Sequence, residues 1–99
     1  INPTVTIAVD DAGAGFASLR HIAELQPDLV KLDRGLVAGI DQDRARQALV
    51  AGMVHFAAEV GCVLIGEGVE TDGELATLRR LGVQLGQGYL LGRPERLDH

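Results

Sequence analysis

Four short apolar runs alternate with three stretches of helical spacing, and this alternation limits the possible folds more than any other feature. The runs are Val5 to Val9, Leu29 to Leu32, Cys62 to Ile65 and Val83 to Leu91, the last interrupted by glycines. Between the first two, Phe16, Leu19 and Ala23 share one helical face, and Pro27 ends that pattern. The longest helix is predicted from about Asp41 to Glu59, with apolar residues at Ala45, Leu49, Met53, Phe56 and Val60. Asp41 is its expected N-cap and Gly61 its stop. Thr71 and Glu74 have the spacing of a capping box and open a third helix containing Leu75, Leu78 and Leu81, closed by Gly82. Pro94 and a charged tail follow the last run. Strands joined by helices in this order predict right-handed crossovers and a parallel sheet, an α/β fold of about four strands with three intervening helices.

Size and composition narrow the function classes. At 99 residues, 46% of them hydrophobic, the chain supports one domain with a modest core. Its net charge of −5 lacks the clustered lysines and arginines that a nucleic-acid polymer requires. The single cysteine, Cys62, rules out an intrachain disulfide and fits a reducing, cytoplasmic setting. No apolar stretch reaches the roughly 18 residues of a membrane helix, and no signal-peptide pattern is present. The first residue is Ile1 rather than Met, so the chain is expected to be cut from a longer polypeptide.

Each apolar run delivers polar groups at its carboxyl end. Asp10 and Asp11 end the first, Lys31 and Asp33 belong to the second, Glu67 and Glu70 follow the third, and Gln87 lies in the fourth. The carboxyl-end rim is where parallel sheets and α/β barrels place binding and catalysis. Acids gathered there raise one another's pKa or require a cation, and hard divalent ions prefer such oxygens. His21 and His55 fall within helical segments, so zinc is not expected. Gly13 and Gly15 let the chain turn after Asp10 and Asp11, so that both carboxylates can face one site. Lys31 stands among Leu29, Val30 and Leu32, where a charge is costly unless paired. It either forms an ion pair, for example with Asp33, or serves a water or a phosphate oxygen. A dinucleotide fingerprint around Gly13 and Gly15 is disfavoured, because the two aspartates would repel a pyrophosphate.

The segments DDAGAGFASL, PDLVKLDRGLV, GEGVET and QGYLLGRP have the order and spacing of the second half of the EAL domain, so the chain resembles that family over nearly its whole length. The resemblance implies the second half of a TIM-type (β/α)8 barrel, in a bacterial signalling enzyme that hydrolyses cyclic di-GMP to linear pGpG with two divalent cations, Mg²⁺ or Mn²⁺. It implies that Asp10, Asp11 and Glu67 hold metal, that Lys31 contacts the attacking water, and that Glu67 is a ligand or general base. By the same resemblance Asp33, Glu70, Gly13 and Gly15 support substrate or loops, and Gln87 lies near the substrate or water.

Ala12 stands where the family usually has Phe, and Ala14 where Thr is common. The Glu-Ala-Leu signature, and the Asn and Glu of the following strands, are absent. The match therefore covers the last four strands of eight, and residues 1 to 99 are expected to be a partial EAL domain. The expected consequences are weak or no turnover by the chain alone and a homodimeric assembly. The alternative is a degenerate, non-catalytic module that binds cyclic di-GMP or a partner protein.

Overall fold

A computed structural model describes residues 4–7, 23–88, 93 and 95–97. Among them the strands are β1 (Thr4–Ile7), β2 (Leu29–Leu32), β3 (Val63–Gly66), β4 (Leu85–Gly86) and β5 (Glu95–Arg96), in sequence order across one sheet. β1 to β4 are parallel, as the alternation predicts, and β5 pairs antiparallel with β4. The antiparallel β5 lies in what the sequence reads as a charged tail. Arg79 secures it by donating from Nε to the carbonyl of Leu97, whose own N–H donates to the Gln84 carbonyl. Residues 23–25 are helical, at the Ala23 end of the stretch whose spacing predicts a helix; Phe16 and Leu19 lie outside the described residues.

The β2–β3 connection is more elaborate than predicted. Asp33 caps a single helical turn, α1 (Arg34–Val37), by accepting from the Gly35 N–H at 2.9 Å. Gly39, at φ 71°, then opens a 3-10 turn over Ile40–Gln42. The long helix α2 runs Arg44–Val60, so its N-cap is Asp43 and not Asp41. The aspartate two residues later wins because Asp41 already lies inside the 3-10 turn, while Asp43 is extended and accepts from the Arg46 N–H. Gly61 ends α2 in the left-handed conformation, as expected. The buried face of α2 centres on Val50, Met53 and Ala57, whereas Ala45 and Val60, at the ends of the predicted stripe, are exposed.

α3 (Asp72–Leu81) opens with the predicted capping box. The Thr71 hydroxyl accepts from the Glu74 N–H at 3.1 Å, and Glu74 Oε1 accepts from the Thr71 N–H at 3.3 Å. Thr71→Ala is expected to lower stability by about 1 kcal/mol, the usual cost of a lost cap, as a drop in urea midpoint without a change in slope.

The core lies between the sheet and these helices. Val30, Leu32, Leu64, Val50, Ala57 and Leu78 belong to one buried cluster. Strand alternation sends Leu29, Lys31, Val63 and Leu85 to the opposite face, where each is only half-buried, with Ile65 buried beside them. Lys31 is in lateral register with Thr6 on one side and Ile65 on the other.

Candidate functional site

Three adjacent parallel strands bring the polar residues following them to one rim. Lys31 is the penultimate residue of β2, Glu67 follows β3 directly, and Gln87 follows β4 directly. Ladder bonds continue past the strands and fix these exits side by side. The Glu67 N–H donates to the Leu32 carbonyl at 3.0 Å, and the Gln87 N–H donates to the Gly66 carbonyl at 2.9 Å. The side chains of Lys31, Glu67 and Gln87 make no hydrogen bond or ion pair with one another or with any other described residue.

The expected alternative for Lys31, an ion pair with Asp33, does not form, because the Asp33 carboxylate is engaged at Gly35 in the α1 cap. Asp33 thus shapes the turn leaving β2 and does not neutralise the lysine. Glu70 forms an ion pair with Arg34, Oε1 to Nη2 at 2.7 Å. Both groups are substantially exposed, so the pair adds less to stability than to the position of the loop. Asp10, Asp11, Gly13 and Gly15 lie outside the described residues.

Sequence reasoning missed three groups that hold the 67–70 loop. Arg34 reaches Glu70, and its aliphatic stem covers Gly68 so closely that a Cβ there would stand 2.6 Å from Arg34 Cγ. Glu74 was legible only as a cap. Its carboxylate, 7% exposed, also accepts from the Glu70 N–H at 2.9 Å and, through Oε2, from the Gly39 N–H at 3.0 Å. Gly88, next to Gln87, presses against Val69. A glycine after a strand-end amide was the available signal for the last. Nothing local in the sequence announces the first two, because their partners lie 36 and 35 residues away.

No group of three or more His, Cys, Asp or Glu that could hold a metal ion occurs among the described residues. Cys62 is 4% exposed, and burial pushes its thiol pKa up, so it is a packing residue and not a ligand or nucleophile. A cleft of about 380 Å³, lined by Val63, Gln84, Leu85 and Arg96, opens where β3 and β4 begin, away from the polar rim. No helix among the described residues is long and apolar enough to cross a membrane.

Similar proteins supply the context for this rim. Pseudomonas aeruginosa RocR, a cyclic di-GMP phosphodiesterase, is 37% identical over 93 residues, covering 94% of this chain and 24% of RocR. The same organism's MucR, a bifunctional diguanylate cyclase/cyclic di-GMP phosphodiesterase, is 37% identical over 90 residues, 91% of this chain and 13% of MucR. The chain thus spans at most a quarter of either relative. Among solved structures, Klebsiella pneumoniae BlrP1 in complex with manganese and cyclic di-GMP matches with a TM-score of 0.75 and 38% identity, over 90% of this chain and 22% of BlrP1. The four parallel strands and their helices are therefore the expected part of a TIM-type barrel. The pattern of the EAL domain is matched over residues 4–94, and the chain belongs to the EAL domain family.

Proposed function

We propose that the chain carries the Lys31, Glu67 and Gln87 side of a metal-dependent phosphodiesterase site that hydrolyses cyclic di-GMP to linear pGpG. The observation that carries this reading is Lys31. It is a half-buried ammonium whose neighbours on its sheet face include Leu29, Val63, Ile65 and Leu85, with Thr6 beside it on β1, without an ion pair among the described residues, at the rim it shares with Glu67 and Gln87. A fold gains nothing from a charge so placed, whereas a phosphate site does.

The donor chemistry fits a hard divalent cation, Mg²⁺ or Mn²⁺. Among the described residues, Glu67 offers carboxylate oxygens with no hydrogen-bond partner, and its companions on the rim, Lys31 and Gln87, carry neither sulfur nor imidazole. Glu67, with Asp10 and Asp11, would hold a two-ion site. Such ions make water a stronger nucleophile and offset phosphate charge. The Lys31 ammonium donates to the attacking water or to a phosphate oxygen. Glu67 acts either as a ligand or as the general base that takes the water proton, and the Gln87 carboxamide orients water or substrate. Attack on phosphorus forms the new P–O bond as the bond to the 3′ oxygen breaks, and that oxygen leaves as a hydroxyl, its proton balanced by the one the attacking water gives up. Asp33 and Glu70 support the site through α1 and Arg34, and Gly13 and Gly15 through the loop after the paired aspartates. The complete site also draws on barrel residues outside this chain. Turnover by the 99 residues alone is accordingly weak or absent, and the protein acts as a cytoplasmic homodimer.

Calorimetric titration of the full-length protein with Mn²⁺ tests this. Uptake is expected, weakened by roughly tenfold or more in Glu67→Gln. No uptake by the unsubstituted protein would sink the metal-dependent reading and leave the alternative, a module that binds cyclic di-GMP or a partner protein without cleaving it. Rapid pGpG formation by the isolated chain would overturn its proposed dependence on residues elsewhere.

A further inference from the structure

We propose that Gly88 is a positioning residue that locks the loop carrying Glu67 and Glu70 to the exit of β4, so that Glu67 and Gln87 hold one fixed spacing. The functional meaning of that spacing rests on the phosphodiesterase reading, whereas the lock itself is a matter of geometry. Gly88 has φ 151°, a conformation that strains any L side chain. A Cβ there would collide with the Val69 nitrogen and stand 2.5 Å from the Val69 oxygen and 2.8 Å from the Gly68 carbonyl carbon. These obstacles are backbone atoms, which cannot swing aside as a side-chain tip can.

The loop also has nowhere to retreat. The Val69 N–H donates to the Gln87 carbonyl at 2.9 Å, and the Val69 side chain is fully buried. The Glu67 N–H is bonded to Leu32, and the Glu70 N–H to Glu74. The Arg34 stem lies against Gly68. A methyl group at position 88 must therefore break the Val69–Gln87 bond or one of the bonds that tie the loop to β2 and α3. Each of these displaces Glu67 relative to Gln87.

Amide exchange and side-chain carbon shifts, measured by NMR on Gly88→Ala, test the lock, with Gly61→Ala as control. Gly61 also has positive φ, 80°, but a Cβ there meets nothing within 4 Å, so it carries backbone strain without collision. Expected for Gly88→Ala is exchange at Val69 and Gln87 accelerated by at least about tenfold beyond the change at the β2 amides. The Glu67 carboxyl and Gln87 carboxamide carbons should shift together. In Gly61→Ala neither pair should move beyond the change in global stability. Equal behaviour of the two variants would reduce Gly88 to a strained turn and overturn the proposal. Should Gly88→Ala not fold, the unsubstituted protein decides. Val69 and Gln87 must open with matching denaturant dependence, and independent opening overturns the lock. Titration of the unsubstituted protein with Mn²⁺ is read separately, so failure of the metal site and failure of the lock give different results.

Discussion

Lys31→Met is expected to cut cyclic di-GMP hydrolysis by the full-length protein roughly 100- to 1000-fold, the usual loss when one preorganised donor to developing charge is removed. It is also expected to leave the thermal midpoint unchanged or raised. The two effects have opposite signs for a physical reason. Lys31 lies on the sheet face of Leu29, Val63, Ile65 and Leu85, half-buried and without an ion pair among the described residues. Methionine keeps the length of the stem and removes a charge whose desolvation the fold does not repay. If Lys31 were instead part of the stabilising framework, its loss would lower stability and activity together. Because the proposed role of the lysine is on the water or phosphate in the transition state, the fall is expected in kcat more than in KM. A variant of normal activity, or one that loses activity only because it unfolds at the assay temperature, would remove Lys31 from the proposed mechanism.

What the sequence made legible follows from the range of the interactions involved. The parallel order of β1 to β4 and the α3 capping box depend on local patterns, and both were readable. The α2 N-cap was misplaced because Asp41 and Asp43 are equally good caps by residue type. The choice between them depends on the left-handed Gly39 and the 3-10 turn that follows it. β5 was invisible because its two residues, Glu95 and Arg96, have no strand pattern and pair only because β4 offers an edge. Lys31, Glu67 and Gln87 could be placed on one rim because every parallel strand puts its exit at the same end. The devices that fix the rim, namely Arg34 on Gly68, Glu74 on Gly39 and Gly88 on Val69, are contacts between distant segments. Only the folded chain shows them.

The largest effect on stability is expected at the contact between β3 and α3. Gly66 faces the helices, and a Cβ there would stand 2.8 Å from Leu78 Cδ1 and 3.5 Å from Val37 Cγ2. Leu78 is fully buried. Leu78→Ala opens a cavity that the surrounding β-sheet cannot collapse, at a cost of roughly 2–5 kcal/mol. That is a large share of the roughly 5–15 kcal/mol that holds a domain of this kind. Gly66→Ala errs the other way, forcing a methyl against Cδ1 at about 1–3 kcal/mol. If the two residues are complementary in volume, the double variant must cost less than the sum, because the added methyl enters the space the leucine vacates. Urea unfolding of the four proteins measures this coupling. Strict additivity would mean that β3 and α3 are not in the contact described here. Recovery in the double variant also bears on the site: Gly66 immediately precedes Glu67, and its carbonyl accepts the Gln87 N–H. The packing that sets the distance between sheet and helix therefore also sets the height of the rim on which Glu67 and Gln87 stand.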